Sequence, residues 1–323
     1  MKNVSILIPN EAVLASIADP RIMFTGVNDF LAAAGKPPMF NVQLVGLEKD
    51  VRLHGGLFSV HTDAVLSEVK KTDLIILPAF GGDMKTTIER NREFIPWITD
   101  QHYQGAEVAS LCVGAFLLAA TGLLNGKECS THWRFAGEFR AMFPEVTLVD
   151  DRIVTEQKGL YSSGGATSYW NLLLYLVEKY AGRDMSILAA KMFALEIDRK
   201  SQSPFIMFNG QKTHEDEPIK KAQEFIEANI TEKISVEGLA LKYAIGKRHF
   251  ERRFKKATNN SPLEYIQRVK VEAAKKHLES SRKNVNEVMY DVGYSDTKAF
   301  RNVFKKITGL SPIEYKNKYN KAS

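Results

Sequence analysis

Along the first half of the chain, short apolar runs alternate with stretches of helical periodicity. Residues 4–8, 41–47, 73–79 and 107–111 are apolar and rich in β-branched side chains, and helical stretches follow near 27–34, 91–102, 113–124 and 134–143. Strands that read as continuous apolar runs, each followed by a helix, predict an α/β domain: a parallel sheet buried on both faces by flanking helices. The pattern changes near residue 209. Residues 209–218 are polar and lack apolar periodicity, and the chain beyond them reads as helical throughout. The expected organisation is an α/β domain over 1–205, a linker over 206–217 and an all-α domain over 218–323.

The all-α domain contains a repeat. Phe250, Phe254, Lys255, Lys256, Thr258, Ser261, Pro262, Glu264 and Tyr265 recur fifty residues later as Phe300, Phe304, Lys305, Lys306, Thr308, Ser311, Pro312, Glu314 and Tyr315. Two copies at this period fit a duplicated supersecondary unit better than a solenoid. In the first copy Val236, Leu239, Ala240 and Tyr243 make one apolar stripe, Ala244-Ile245-Gly246 turns the chain, and Phe250, Phe254 and Ala257 line a second helix. In the second copy Val285, Val288, Met289 and Val292 make the stripe. A turn at Gly293-Tyr294-Ser295-Asp296 follows, with Ser295 or Asp296 placed as the helix N-cap, and Phe300, Val303 and Phe304 face inward.

Two short helices joined by a turn with Gly form a helix-turn-helix, whose second helix enters the DNA major groove. The outward residues are Lys247, Arg248, Glu251, Arg252 and Lys255 in one copy, and Thr297, Lys298, Arg301, Asn302 and Lys305 in the other. Arg and Lys recognise guanine there and Asn recognises adenine. The predicted DNA contacts are Lys247, Arg248, Arg252, Lys255, Thr297, Lys298, Arg301, Asn302 and Lys305. Between the copies a helix from Pro262 to about Glu279 shows one stripe, Ile266, Val269, Ala273 and His277. At 1.5 Å per residue it spans roughly 27 Å, near the ~34 Å between successive major grooves on one side of a duplex.

Charge supports this division. The net +6 is uneven: residues 218–323 carry 23 Lys and Arg against 12 Asp and Glu, and residues 1–217 carry 21 against 26. A basic domain behind an acidic one suits a polyanion partner.

Other bulk features exclude classes. The run at 4–8 stops at Pro9-Asn10-Glu11, unlike a signal peptide, and 113–124 is too short to span a bilayer, so the expected location is the cytoplasm with no membrane partner. Two cysteines, Cys112 and Cys129, make no disulfide framework, and Cys129 reads as a buried small hydrophobe. No cofactor or metal ion is expected.

The second copy's Val292-Gly-Tyr-Ser-Asp296, the Phe300/Phe304-Lys-Lys spacing and Gly309-Leu-Ser-Pro-x-Glu-Tyr315 resemble the signature of AraC/XylS-type transcription regulators. The resemblance covers roughly 218–320 and implies sequence-specific binding to double-stranded DNA, with RNA polymerase as a candidate partner. Gly246 departs from it, because a Ser cap is common at that position.

In the α/β domain, Ser110-Leu-Cys112-Val-Gly114 joins a strand to an apolar helix. Small residues two positions either side of a nucleophile suit a sharp strand-to-helix elbow, and a helix N-terminus favours the thiolate. Gly81-Gly82 can offer backbone N–H groups to an oxyanion, and His132 is a candidate base or hydrogen-bond partner. Ligands of such sheets bind at the carboxyl ends of strands, so Cys112, Gly81, Gly82 and His132 are the predicted ligand site.

Ser110–Ala119, Thr131-His-Trp-Arg-Phe-Ala-Gly-Glu138 and Tyr161-Ser-Ser-Gly-Gly165 resemble the ThiJ/PfpI superfamily, which has a flavodoxin-like, class I glutamine amidotransferase-like fold. The match covers roughly 1–195 and is nearest the subgroup fused to AraC-type tails. Family enzymes often carry an acid four residues before the proline of the first helix. Here Ser16 precedes Pro20 at that spacing, which leaves Glu11 or Asp19 as spatial substitutes. Cys112 and His132 then read as vestigial catalytic candidates.

Three functions compete. The first is a regulator, expected as a homodimer, that senses an unidentified small molecule through the α/β domain. The second is a cysteine-dependent hydrolase or lyase with an accessory DNA-binding tail. The third is a constitutive DNA-binding protein whose α/β domain only dimerises. The missing acid counts against the second, and the retained elbow counts against the third.

Overall fold

The computed structural model describes residues 1–212 and 214–320, so Thr213 of the expected linker and residues 321–323 of the expected all-α domain lie outside the described residues. The chain divides into two compact units at Gln202/Ser203.

The first unit is built on a seven-stranded sheet. Its elements run β1 (Lys2–Leu7), α1 (Ala15–Ala33), β2 (Phe40–Gly46), β3 (Asp50–Leu53), β4 (Phe58–His61), β5 (Ala64–Val65), β6 (Leu74–Leu77), α2 (Met84–Arg90), α3 (Phe94–Tyr103), β7 (Glu107–Ser110), α4 (Ala115–Ala120), β8 (Glu128–Cys129), α5 (Ala136–Met142), β9 (Thr147–Leu148), β10 (Val154–Gln157), β11 (Leu160–Ser163), α6 (Tyr169–Ala181) and α7 (Arg183–Met192). The order is β10-β11-β7-β6-β1-β2-β5, parallel except for β10.

Val4, Ile6 and Leu7 of β1 and Leu74–Leu77 of β6 are fully buried, as strands covered on both faces must be. Helices α1, α6 and α7 pack together, as do α2, α3 and α4. β3 and β4 form a separate hairpin, and β8 pairs with β9.

The four predicted strands correspond to β1, β2, β6 and β7. The helices differ in extent. α1 begins twelve residues before 27, with Pro20 inside it. The stretch 91–102 holds only α3, because Asn91 ends α2 and turns its side chain to the Thr87 and Asn10 carbonyls.

The second unit comprises α8 (Glu217–Ala228), α9 (Val236–Lys242), α10 (Lys247–Thr258), α11 (Pro262–Ser280), α12 (Val285–Asp291), α13 (Thr297–Thr308) and α14 (Pro312–Tyr319). It has two cores. Ile219, Ala222, Ile226, Leu239, Phe250, Phe254, Tyr265 and Ile266 form the first. Val271, Ala274, Leu278, Val288, Met289, Val292, Phe300, Phe304 and Tyr315 form the second.

The repeat has a physical basis in matched contacts. Phe254 meets Tyr265 edge-on at 5.3 Å, and Phe304 meets Tyr315 at 5.5 Å. The Thr258 hydroxyl donates to Phe254 O at 2.8 Å, and Thr308 to Phe304 O at 2.9 Å. Ser261 with Glu264 and Ser311 with Glu314 make equivalent capping boxes, each with Pro at the first helical position. The left-handed residue closing each reader helix is Asn259 in one copy and Gly309 in the other.

Two expectations change. α11 does not bury one stripe. Ile266 and Val269 join the first core, Val271, Ala273, Ala274 and Leu278 join the second, and His277 is half-buried. The stretch 206–217 is not a free linker, because it packs on the second unit. The Phe208 ring meets Tyr265 at 5.1 Å, its N–H donates to Glu272 at 3.1 Å, and Gln211 accepts from both Gln223 and Asn260.

Candidate functional site

Helices α10 and α13 each span twelve residues and bury the same edge, Phe250/Phe254 and Phe300/Phe304. Their opposite faces are charged. Lys298, Arg301, Asn302 and Lys305 are exposed, and Thr297 is half-buried. Among the described residues, none of these five side chains is held by an ion pair or hydrogen bond. Asp296, not Ser295, caps α13, accepting from the Ala299 N–H at 2.6 Å.

On α10, Lys247, Arg248, Arg252 and Lys255 are exposed. Lys247 is paired with Glu237 of α9, so it does not extend freely. Arg252 leans on His249 at 3.5 Å. Gly246 caps α10 with no side-chain acceptor. Arg253 takes no part in the outer face. It forms a two-bond fork with Asp216, at 2.9 and 2.8 Å, that ties α10 to the start of α8.

The two helix-turn-helix copies meet at a buried cation. Lys270 of α11 is 6% exposed, and its ammonium donates to Glu232 O at 3.1 Å and Gly293 O at 3.3 Å. Burial pushes its pKa down. Gly293 has φ +71, and a Cβ there would lie 2.5 Å from Thr231 O and 2.7 Å from Lys270 Nζ. Glycine therefore fits this turn both for its backbone angle and for the close approach.

In the first unit the predicted elbow exists. Cys112 follows β7 with φ +56, a strained value for a residue with a side chain. A Cβ on Gly114 would sit 2.5 Å from Leu77 O and 2.7 Å from Pro78 O, so the elbow presses directly on the end of β6. The Cys112 N–H donates to Ser163 Oγ at 3.1 Å, and its carbonyl accepts from the Thr131 hydroxyl at 3.0 Å. The backbone N–H groups of Ala166 and Val113 act on the sulfur in the direction that lowers its pKa.

Burial outweighs those donors. Cys112 is 7% exposed and its pKa is raised, which corrects the expectation of a favoured thiolate. Cys129 is fully buried and is pushed up to about 12.

The other predicted site residues divide. The Gly81 N–H donates to Glu11 O at 2.8 Å, so it is not available to an oxyanion. Gly82, at φ +84, lies in the same loop against Thr87. The His132 ring packs on Gly165, where a Cβ would be 2.4 Å from its Cγ, and its Nδ1 accepts from the Arg134 N–H at 3.1 Å. Burial first, then the Arg134 charge, holds the imidazole below its usual pKa. Cys112 and His132 therefore flank one turn, Gly165–Ala166. No hydrogen bond joins them among the described residues.

Ser16 does not address the thiol. Its hydroxyl donates to Val13 O at 2.7 Å and accepts from the Ala79 N–H at 3.0 Å. Glu11 faces Arg90 at 3.8 Å. Asp19 accepts from the Tyr169 hydroxyl at 2.5 Å, and burial first, then this bond, raises the pKa of that phenol. Tyr169 and Asp19 are thus the carboxylate-bearing pair beside the elbow. Tyr169 opens α6 three residues after Ala166, and only the fold sets its hydroxyl against Asp19.

A further concavity of about 470 Å³ opens at the carboxyl ends of β1 and β2, lined by Asn10, Glu48, Asp50 and Arg52 over Ile8, Leu47 and Val51. Its size is in the small-molecule range. Sequence reasoning missed it because β3, a strand it did not predict, supplies Asp50, Val51 and Arg52 of its wall.

Residues 239–318 match the family described as a helix-turn-helix domain, and residues 27–179 match the DJ-1/PfpI family. The chain is 26% identical over 304 residues to the HTH-type transcriptional regulator GbdR of Pseudomonas aeruginosa, covering 87% of this chain and 79% of that one. It is 29% identical over 135 residues to isonitrile hydratase of Pseudomonas putida, covering 41% of this chain and 54% of that one. In fold it is similar to an AraC family transcriptional regulator from Pseudomonas putida, with a TM-score of 0.51 and 18% identity, covering 60% of this chain and all of that one.

Proposed function

We propose that this chain, which joins a DJ-1/PfpI domain to an AraC-type helix-turn-helix domain, is a DNA-binding transcriptional regulator whose first unit senses a small molecule and sets operator binding by α10 and α13. The observation that supports reading with these two helices is their matched, outward-facing cationic surface, unpaired on α13. Arg and Lys there suit guanine edges and phosphates, and Asn302 suits adenine. Arg248, Arg252, Lys255, Lys298, Arg301, Asn302 and Lys305 are the contacts. Lys247 contributes once Glu237 releases it, and Thr297 contributes at the groove edge. Binding of labelled duplexes by the triple variant Arg248→Ala, Arg252→Ala, Arg301→Ala tests this, and undiminished affinity refutes it.

The sensing site lies around Cys112, Gly82 and His132 at the strand ends, and it binds without turning its ligand over. A protonated thiol, a Gly81 N–H already bonded to Glu11, and an imidazole not bonded to the sulfur all support a receptor over a catalyst. A ligand shifts operator affinity only through unequal affinity for two states, and about 1–3 kcal/mol of coupling gives a 5- to 150-fold switch. Cys112→Ser is expected to alter the response to effector and to leave basal operator binding intact. The regulator acts in the cytoplasm as a homodimer through the first unit, with RNA polymerase as the partner that reads its position.

A second reading, a cysteine-dependent hydrolase or lyase, is favoured by the strained elbow and by the likeness to isonitrile hydratase. Turnover of isocyanide, amide or aldehyde substrates that disappears in Cys112→Ser would establish it over the receptor.

A further inference from the structure

At the fifty-residue offset the two reader helices match position by position, yet their outer faces differ in chemistry. Arg248 and Arg252 stand where α13 has Lys298 and Asn302. Glu251 stands where it has Arg301. Glu251 is thus a lone carboxylate on a cationic face.

It is half-buried on the flank between the Phe250/Phe254 edge and the exposed Arg252. Lys247 one turn before it feels its charge and Lys255 stands one turn after it, but neither forms an ion pair with it. Lys247 is paired with Glu237 instead. Arg253 is forked onto Asp216, and Arg252 leans on His249. Among the described residues no ion pair or hydrogen bond holds the Glu251 carboxylate.

A carboxylate accepts hydrogen bonds and donates none. Phosphates repel it, so in the major groove its partners are base edges. Guanine offers only acceptors there. Adenine sets its N6 donor beside the N7 acceptor, a pair that an amide matches and a carboxylate does not. Cytosine offers its N4 amino group with no competing acceptor at the edge.

We infer that Glu251 is a specificity-determining residue that accepts a hydrogen bond from cytosine N4, so that the operator is an asymmetric two-part site. One half-site, read by α10, requires a cytosine among guanines, and the other, read by α13, holds guanine and adenine for Arg301 and Asn302. This rests on the reading of α10 and α13 as the groove helices, and it adds a base identity and a difference between half-sites.

The test is selection of full-length protein on a randomised duplex library at fixed salt, in parallel with Glu251→Ala and Glu251→Gln. Wild type should select one cytosine in one half-site, with roughly 5- to 150-fold discrimination at that pair. Glu251→Ala should lose the discrimination at that pair alone, and Glu251→Gln should move it toward adenine. Replacing that cytosine by 2-pyrimidinone, which lacks the amino group, should weaken wild type and leave Glu251→Ala unaffected. The inference is overturned if wild type tolerates the pyrimidinone, or if Glu251→Ala binds all sequences more tightly by one common factor, as a carboxylate merely opposing phosphates would. Enrichment of a two-part site without the cytosine defeats this inference only. No enriched site at all defeats the groove-helix reading itself.

Discussion

Replacing Lys270 by methionine keeps most of the aliphatic stem in the packing of α11 and removes the ammonium. That ammonium is the donor to Glu232 O in the first copy and Gly293 O in the turn of the second. The variant leaves two part-buried carbonyls without this donor, at the lower part of the roughly 1–3 kcal/mol range that a buried group would lose, so a net loss of about 2–4 kcal/mol is the most that is expected. For a unit of this size each kcal/mol lowers the midpoint by about 3–5 °C. Thermal unfolding of the full chain should therefore show its reader-unit transition lower by at most about 6–20 °C. The sharper readout is half-site spacing. In wild type, one base pair added or removed between half-sites should weaken binding strongly, because Lys270 and the Gly293–Thr231 contact fix one copy against the other. Lys270→Met should bind less tightly to the native spacing and be penalised less by the altered ones, and Lys270→Arg should restore part of the preference. Unchanged stability together with an unchanged spacing preference would refute the clamp.

Arg301→Ala should lower operator affinity by about 1–3 kcal/mol and relax one base position, whereas a phosphate contact would weaken all sequences alike and flatten the salt slope in binding titrations. Gly114→Ala puts a methyl group within 2.5 Å of a backbone oxygen, so it should destabilise the first unit by more than about 2 kcal/mol in denaturant unfolding while sparing the second. Cys112 should alkylate slowly at neutral pH, with its rate climbing only as pH passes the ordinary thiol value of about 9, because its pKa is raised; fast labelling by iodoacetamide at pH 7 would contradict this. Burial works against the Asp216 carboxylate, but the Arg253 fork and the Ile219 N–H hold its pKa below 3.8. Its stabilisation is therefore complete above about pH 4 and lost as pH falls through the depressed value, and Asp216→Asn should flatten that part of the stability profile.

The legible parts of the fold were those in which a single chain segment carries its own signal. Strands β1, β2, β6 and β7 are buried on both faces and show it as unbroken apolar runs. The nine repeated residues mark the duplication because most make the same contact twice, Phe254 with Tyr265 and Phe304 with Tyr315 among them. What escaped depends on partners distant in sequence. The Gly81 N–H meets a carbonyl seventy residues earlier. The thiol's state is set by its burial in the folded unit, not by its place before a helix. The polar composition of 206–217 signalled a linker, and only the Phe208–Tyr265 contact shows a strap.

Because α11 contributes to both cores, neither reader can be swung aside without disturbing the other's interior. Two readers on a flexible tether would find their second half-site at an effective concentration set by chain length. Here that concentration is set by geometry. When one reader is seated, the other already stands at a fixed place over the duplex, so avidity should be high for one arrangement of half-sites and fall steeply for others. The shared helix thus makes the distance between half-sites part of the recognised sequence, although no side chain touches the base pairs between them.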